Sequence, residues 1–369
     1  MSQSKTNLSV IMPSYNHHQY IGQAIESVLG QTYQDFEFLI VDDCSTDNSA
    51  EVILGYNDPR IRTFFSKKRM GAVGALQFLL SRAEGSYIAL LNSDDYWHPS
   101  KLLEQMIHME EYPQTDICFT QALMVDRIGQ LINEATFDSS NIFLQGNKTR
   151  AQWLRYFWDH GNCLCHPSVL AKRDCYTASD LFNAGLRQLP DFDAWVRLVQ
   201  KHNIYIIQKP LVYHRRFGGK IENTSAQSKE NTLRLMNEYT WIMKGMITQI
   251  DDREFIDGFS DLFIRKGAQE KIDLACERFF LLSSRHGFGC RLSSVAMWYF
   301  FENASDQAFI SCMQESYNYS LEDFYRYTGS FDFGDDCYIS QEGQRAHLFI
   351  MKRLLRWIGR CIMFIMRRK

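Results

Sequence analysis

From residue 8 onward, short apolar runs alternate with amphipathic stretches, and each apolar run ends in a polar cluster. Residues 8–12 (LSVIM) read as a buried strand closed by Pro13, and residues 20–29 place apolar side chains at helical spacing up to Gly30. Residues 36–41 (FEFLIV) form a second apolar run that meets Asp42, Asp43 and the turn-forming Ser45-Thr46-Asp47-Asn48. A helix over 48–54, a strand over 61–65, a helix over 72–83 and a strand over 87–91 (YIALL) follow, the last running into Asn92-Ser93-Asp94-Asp95. Strands this apolar, separated by helices, predict an α/β fold with a mostly parallel sheet covered on both faces. In such sheets ligands bind beyond the carboxyl ends of the strands, where the polar clusters at 13–17, 42–47 and 92–95 fall.

Further along, a helix follows Pro99, a strand spans 117–125, and residues 152–158 are aromatic and helical. A helix over 193–202 buries Trp195, Val196, Leu198 and Val199, and two short strands are expected at 204–207 and 211–213. Beyond about residue 222 strand patterns fade and amphipathic helical ones take over. The expected organisation is therefore 1–221 as an α/β domain, 222–346 as a mainly α-helical C-terminal region, and 347–369 as a separate helix.

Composition narrows the class. At 45% hydrophobic and 22% charged residues the chain has enough apolar surface to fold, which excludes disorder along most of its length. A net charge of −3 excludes a general nucleic-acid trap. The 10 cysteines lack framework spacing, Cys163-Leu164-Cys165-His166 has no second ligand pair for zinc, and the short polar start carries no secretory pattern, so a cytoplasmic setting is expected. Charge is uneven. Residues 347–369 contain Lys352, Arg353, Arg356, Arg360, Arg367, Arg368 and Lys369 without a single acid, opposite Leu348, Met351, Leu355, Ile358 and Ile362. A helix with that pattern suits peripheral contact with an anionic membrane, or packing against the acidic remainder of the chain.

The polar clusters supply candidate chemistry. Asp94 and Asp95 at a strand end suit a hard divalent ion with positions left for a substrate diphosphate, although Asx-rich turns cap helices in the same way. A carboxylate at Asp42-Asp43 can accept the N3–H of uracil or thymine, or serve as a turn. Asp191 and Asp193 stand at a helix start, where the macrodipole favours an ionised carboxylate and hence a general base.

Together the motifs resemble a family. The opening LSVIMPSYNHHQYIGQAIESVLGQTYQDFEFLIVDDCSTDNS, followed by GSYIALLNSDDYWHPSKL, CHPSVLAKRD, PDFDAWVRL and PLVYHRRFGG, is similar to glycosyltransferase family 2, inverting nucleotide-sugar transferases with the GT-A fold. The resemblance implies that Pro13, Tyr15 and Asn16 lie against the nucleoside, and that Asp43 reads the base. It implies that Asp94 and Asp95 hold ribose, diphosphate and Mn²⁺ or Mg²⁺, and that Asp191 deprotonates the acceptor hydroxyl. His166 and Trp195 fall in motifs lining the acceptor side, and Arg215 matches a basic residue near the leaving diphosphate. Departures are Pro190 in place of the usual Glu, Arg215-Arg216-Phe217 in place of Arg-x-His, and Asn92 opening the metal motif. The implied reaction moves a sugar from a UDP- or dTDP-type donor to a glycan or lipid-linked acceptor, in cell-envelope polysaccharide synthesis such as lipopolysaccharide. A nucleotidyltransferase and a catalytically decayed GT-A protein that only binds are the alternatives.

Overall fold

The computed structural model describes residues 6–132, 142–176, 181–217, 228–284 and 292–330, and contacts divide the chain into two units. The first (Met1–Phe157 and Asn162–Ile242) holds the whole sheet. Its strands are β1 (Leu8–Ser14), β2 (Phe36–Asp42), β3 (Ile61–Phe65), β4 (Tyr87–Leu90), β5 (Tyr96–Trp97), β6 (Ile117–Val125), β7 (Leu170–Lys172) and β8 (Ile204–Arg215), in the order β3-β2-β1-β4-β7-β6-β8-β5. β3, β2, β1 and β4 run parallel, as the alternation predicts. β7 reverses direction between β4 and β6, and β5 pairs antiparallel with β8, so the sheet is mixed.

β1 and β2 are buried on both faces, which explains why they read as continuous apolar runs. β1 extends through Pro13 to Ser14, two residues past the expected end. Helix α1 (Ile21–Leu29) turns Ile21, Ala24, Ile25 and Val28 inward, the stripe expected of an amphipathic helix over a sheet. α2 (Ser49–Leu54), α3 (Gly71–Leu80), α4 (Lys101–Glu111), α5 (Arg150–His160), α6 (Arg173–Tyr176) and α7 (Pro190–Val199) follow. α7 begins three residues before the expected start, because Pro190 fits the first helical position, where no N–H is needed. The two short strands expected around 204–213 are one strand. β8 passes through Pro210 at a register irregularity against β6, which absorbs the missing donor.

α8 (Lys229–Gln249) begins in the first unit, and from there every described element is helical. The second unit (Trp158–Gly161 and Met243–Lys369) contains α9 (Asp252–Phe259), α10 (Lys271–Ser283), α11 (Ser293–Asn303), α12 (Gln307–Tyr317) and α13 (Leu321–Thr328). Its core is aromatic, with Phe300 stacked on Phe324 at 3.7 Å and Phe279 at 5.3 Å from Phe300. Ser320 and Asp323 form a capping box at the start of α13. Residues 347–369, expected to be a basic amphipathic helix, lie outside the described residues. Among the described residues no helix is long and apolar enough to cross a membrane.

Candidate active site

The carboxyl ends of β1, β2 and β4 bring the predicted donor residues together. Ser14 and Asp42 are register partners at the ends of β1 and β2, and each leaves one buried oxygen, Ser14 Oγ and Asp42 Oδ2, without a partner among the described residues. Buried polar atoms are normally paired, so these two mark a place built for something else. Asp43 accepts the Met70 and Gly71 N–H groups at 2.6 and 2.8 Å, which ties the end of β2 to the start of α3. Arg69 lies over the Tyr15 ring at 3.4 Å and within 4.0 Å of Asp43. Asn16 adopts a left-handed φ of 53° and accepts the Thr46 N–H at 2.8 Å, so it shapes the loop beside Tyr15.

After β4 the two aspartates separate in role. Asp95 is buried; its Oδ1 accepts the Arg215 N–H at 2.7 Å and its Oδ2 accepts from Asn92 Nδ2 at 3.0 Å. His214 Nδ1 lies 3.1 Å from the same carboxylate. Burial alone would raise Asp95, but His214, the Arg215 N–H and Asn92 outweigh it and hold the carboxyl below its ordinary range. His214 moves the other way: burial would lower it, and Asp95 raises it instead. Asp94 has no such partners among the described residues. Its own backbone N–H reaches its carboxylate, and burial, then Asp95, pushes it upward against the pull of His17 and His214. Among the described residues no group of three or more His, Cys, Asp or Glu is placed to hold a metal. An ion here would therefore take Asp94 as its protein carboxylate and complete its shell with substrate and water oxygens, a donor set that suits Mg²⁺ or Mn²⁺.

Arg215 is buried and largely committed to the protein. Nε donates to Asp94 O at 2.8 Å, Nη1 to Asp126 O and Arg127 O at 2.9 and 2.8 Å, and Nη2 to Gln23 Oε1 at 2.7 Å. Its neighbour Arg216 keeps a buried Nε without a partner among the described residues. Arg216 also bears on His214 and Cys165 electrostatically, so it stands on the same side as the Asp95 cluster.

The expected acceptor side is built from α7 and the segment before β7. Asp191 follows Pro190 in the first turn of α7, Oδ1 accepting the Phe192 N–H at 2.8 Å and Oδ2 accepting from Asn162 Nδ2 at 3.0 Å. His166 packs 5.6 Å from Trp195 and feels both Asp191 and Asp95; burial dominates and lowers its pKa. Among the described residues, His166 Nε2, Trp195 Nε1 and Tyr176 Oη are buried without partners. Trp195 itself is fully enclosed, edge-on to Phe119 at 5.0 Å, so it forms the wall behind His166. Asp193 pairs with Arg197 at 2.6 Å; burial outweighs that pairing and raises its carboxyl.

Sequence reading missed His17, whose Nδ1 lies 2.7 Å from Ser93 Oγ and whose N–H donates to Ser49 Oγ at 3.0 Å. That residue joins β1, α2 and the aspartate motif. Its position directly after the Pro-Ser-Tyr-Asn cluster was the available signal.

This arrangement has counterparts. The model of glycosyl transferase family 2 matches residues 9–170. Residues 9–170 are a glycosyltransferase family 2 domain. An uncharacterized glycosyltransferase of Rickettsia felis is 32% identical over 243 residues, 64% of this chain and 37% of its own length. The UDP-Glc:alpha-D-GlcNAc-diphosphoundecaprenol beta-1,3-glucosyltransferase WfgD of Escherichia coli is 43% identical over 102 residues, 28% of this chain and 40% of WfgD. The chain thus matches well under half the length of either relative. S. aureus TarS 1-349, solved in complex with UDP-GlcNAc, superposes with a TM-score of 0.53 at 18% identity, covering 85% of this chain and 91% of that one. The fold is GT-A with a helical C-terminal region.

Proposed function

We propose that this family 2 domain transfers a sugar from a uridine- or thymidine-diphosphate donor to a hydroxyl of a glycan or lipid-linked acceptor, with inversion. The observation that carries the reading is the division of labour around β4. Among the described residues no other residue donates to the Asp94 carboxylate, Asp95 fixes the loop beside it, and Asp191 stands in the electrostatic neighbourhood of the same His166 as Asp95. WfgD, named for a UDP-Glc donor and a diphosphoundecaprenol-linked acceptor, supports a uridine donor and a lipid-linked acceptor.

The chain's own residues then take these parts. Asp42 and Asp43 face the base edge, Tyr15 and Arg69 flank its face, and Asn16 and Pro13 shape the loop under the nucleoside. Asp94 would hold a Mg²⁺ or Mn²⁺ ion, which supplies neutralisation of the diphosphate's charge. Arg216 is the cation with donor capacity to spare beside it, while Arg215 holds the 94 and 126–127 loops together. Asp191 takes the proton from the attacking hydroxyl; the new C–O bond forms at the anomeric carbon as the bond to the diphosphate breaks. We also propose that residues 347–369 bring the protein to an anionic, inner-face membrane, where a lipid-carried acceptor would reside.

The test is incubation with UDP-glucose, UDP-GlcNAc, dTDP- and GDP-sugars plus Mn²⁺, reading nucleotide release and, by NMR, the anomeric configuration of the product. The expected result is release from a UDP- or dTDP-sugar with inverted configuration. Retained configuration, or release of pyrophosphate from a nucleotide and a sugar phosphate, would contradict it.

A further inference from the structure

Three successive backbone N–H groups just before α7 converge on a single carboxylate. Arg187, Gln188 and Leu189 donate to Glu238 at 2.9, 2.7 and 2.8 Å. Glu238 belongs to α8, is only 6% exposed, and reaches the loop across some fifty positions of sequence. The next residue on α8, Tyr239, stacks on Phe192 at 6.1 Å with ring planes 15° apart. Two consecutive residues of α8 therefore grip the chain on both sides of Asp191, the backbone before it and the ring after it. A third element closes the arrangement. Asn162 Oδ1 accepts the Leu164 N–H at 3.1 Å, which directs its Nδ2 onto Asp191 Oδ2 at 3.0 Å.

Burying a carboxylate is costly unless its lone pairs are met, and bonds from N–H groups to a charged acceptor are stronger and shorter than neutral ones. Glu238 meets that condition with main-chain donors alone, all from one loop, and that loop leads straight into Pro190 and Asp191. Pro190 fixes its own φ and offers no N–H, so the path between the Glu238 anchor and Asp191 has little remaining freedom.

We propose that Glu238 is a positioning residue for Asp191, assisted by Asn162: it sets where the base carboxylate stands without touching substrate. The inference rests on Asp191 being the base, as read above. A displacement of about 1 Å in a reacting group costs on the order of 10²-fold in rate, so loosening the loop acts on turnover while the donor site at the ends of β1, β2 and β4 is untouched.

The experiment compares Glu238→Gln, Glu238→Asp, Asn162→Ala, Asp191→Asn and the Glu238→Gln/Asp191→Asn double variant of the full chain. Three readouts are taken: amide hydrogen exchange at 187–189, UDP affinity by calorimetry, and nucleotide release from whichever sugar nucleotide of the panel the wild type consumes. For Glu238→Gln the expected result is faster exchange at those amides, UDP affinity within about twofold, and release slowed roughly 10–100-fold. Glu238→Asp restores part of the rate. Added to Asp191→Asn, Glu238→Gln slows release less than about twofold further, because the two act as a unit. Unchanged release in Glu238→Gln, a parallel loss of UDP affinity, or an undiminished loss on the Asp191→Asn background overturns the proposal. If Glu238→Gln does not fold, Asn162→Ala is judged by the same criteria. Full activity in Asp191→Asn, or a wild type that consumes no sugar nucleotide, overturns the base reading and this inference with it; an inactive Asp191→Asn beside a normal Glu238→Gln overturns this inference alone.

Discussion

Asp95 commits its carboxylate to Arg215, Asn92 and His214, whereas Asp94, one position earlier, accepts from no other residue among those described. The two should therefore fail differently. Asp95→Ala strips the partner from a half-buried histidine and a buried N–H, and the expected loss is about 3 kcal/mol in urea unfolding. Asp94→Ala should unfold within about 0.5 kcal/mol of the wild type, since among the described residues no other residue donates a hydrogen bond to its side chain. Equal destabilisation by both would contradict the division. This distinction was not legible in the sequence, which offered two identical side chains in one motif. Two of the partners that separate them, His214 and Arg215, lie some 120 positions away, on β8. The same distance hid the role of Arg215, whose guanidinium reaches Gln23 across 192 positions. What was legible was the set of residues at the strand ends, because their polarity breaks an apolar run.

A second residue-scale prediction concerns Lys101, fully buried in α4, bonded to Gln105 Oε1 at 2.7 Å and lying 3.9 Å over Trp97. Gln105 in turn donates to Cys118 O and Ser168 O, so the amine sits in a dry network. Burial lowers Lys101 to about 7. Above that value the amine is neutral in the fold yet still charged in the unfolded chain, so the unfolded state binds more protons and stability rises with pH. The rise should run from about pH 7 upward and be absent from Lys101→Met; a wild type and variant with parallel stability–pH curves from 6.5 to 8.5 would contradict it.

At the scale of elements, the periodicity of apolar positions located the first four strands and the helices between them, since each covers one face of a sheet whose neighbours are near in sequence. It did not show that β7 runs backwards between β4 and β6, because strand direction depends on connections and not on side-chain pattern. Nor did it join 204–207 to 211–213, since Pro210 interrupts the pattern while β8 continues through it. The junction of β1 with the turn before β4 depends on Gly85. Its N–H donates to Ser9 Oγ at 2.8 Å, and an added Cβ would lie 2.5 Å from Ser9 N and 2.6 Å from the Leu8 carbonyl carbon. Backbone atoms of a central strand have nowhere to move. Gly85→Ala should lower stability by about 1–3 kcal/mol, read as a shift in urea midpoint at unchanged slope. A neutral substitution would show that β1 yields.

For the whole molecule, the sheet-bearing unit carries the family 2 match, and the second unit is a set of helices around Phe279, Phe300 and Phe324. The seven cations of 347–369 give the chain a marked charge asymmetry. Sedimentation with phosphatidylglycerol vesicles should therefore occur at low salt, weaken at 0.5 M NaCl, and vanish when Lys352, Arg353, Arg356 and Arg360 are replaced by Ser. Binding indifferent to salt and to those residues would assign the tail another task.

The central claim is that the strand-end carboxylates bind a nucleoside diphosphate through a metal. Calorimetric titration with UDP, dTDP, GDP and CMP, each with and without Mn²⁺, tests it most directly, on the wild type and on Asp94→Ala. The account predicts UDP or dTDP binding that requires Mn²⁺ and disappears in Asp94→Ala while the variant stays folded. Binding of none of the four by folded wild-type protein, or UDP binding unaffected by metal and by Asp94→Ala, would contradict it.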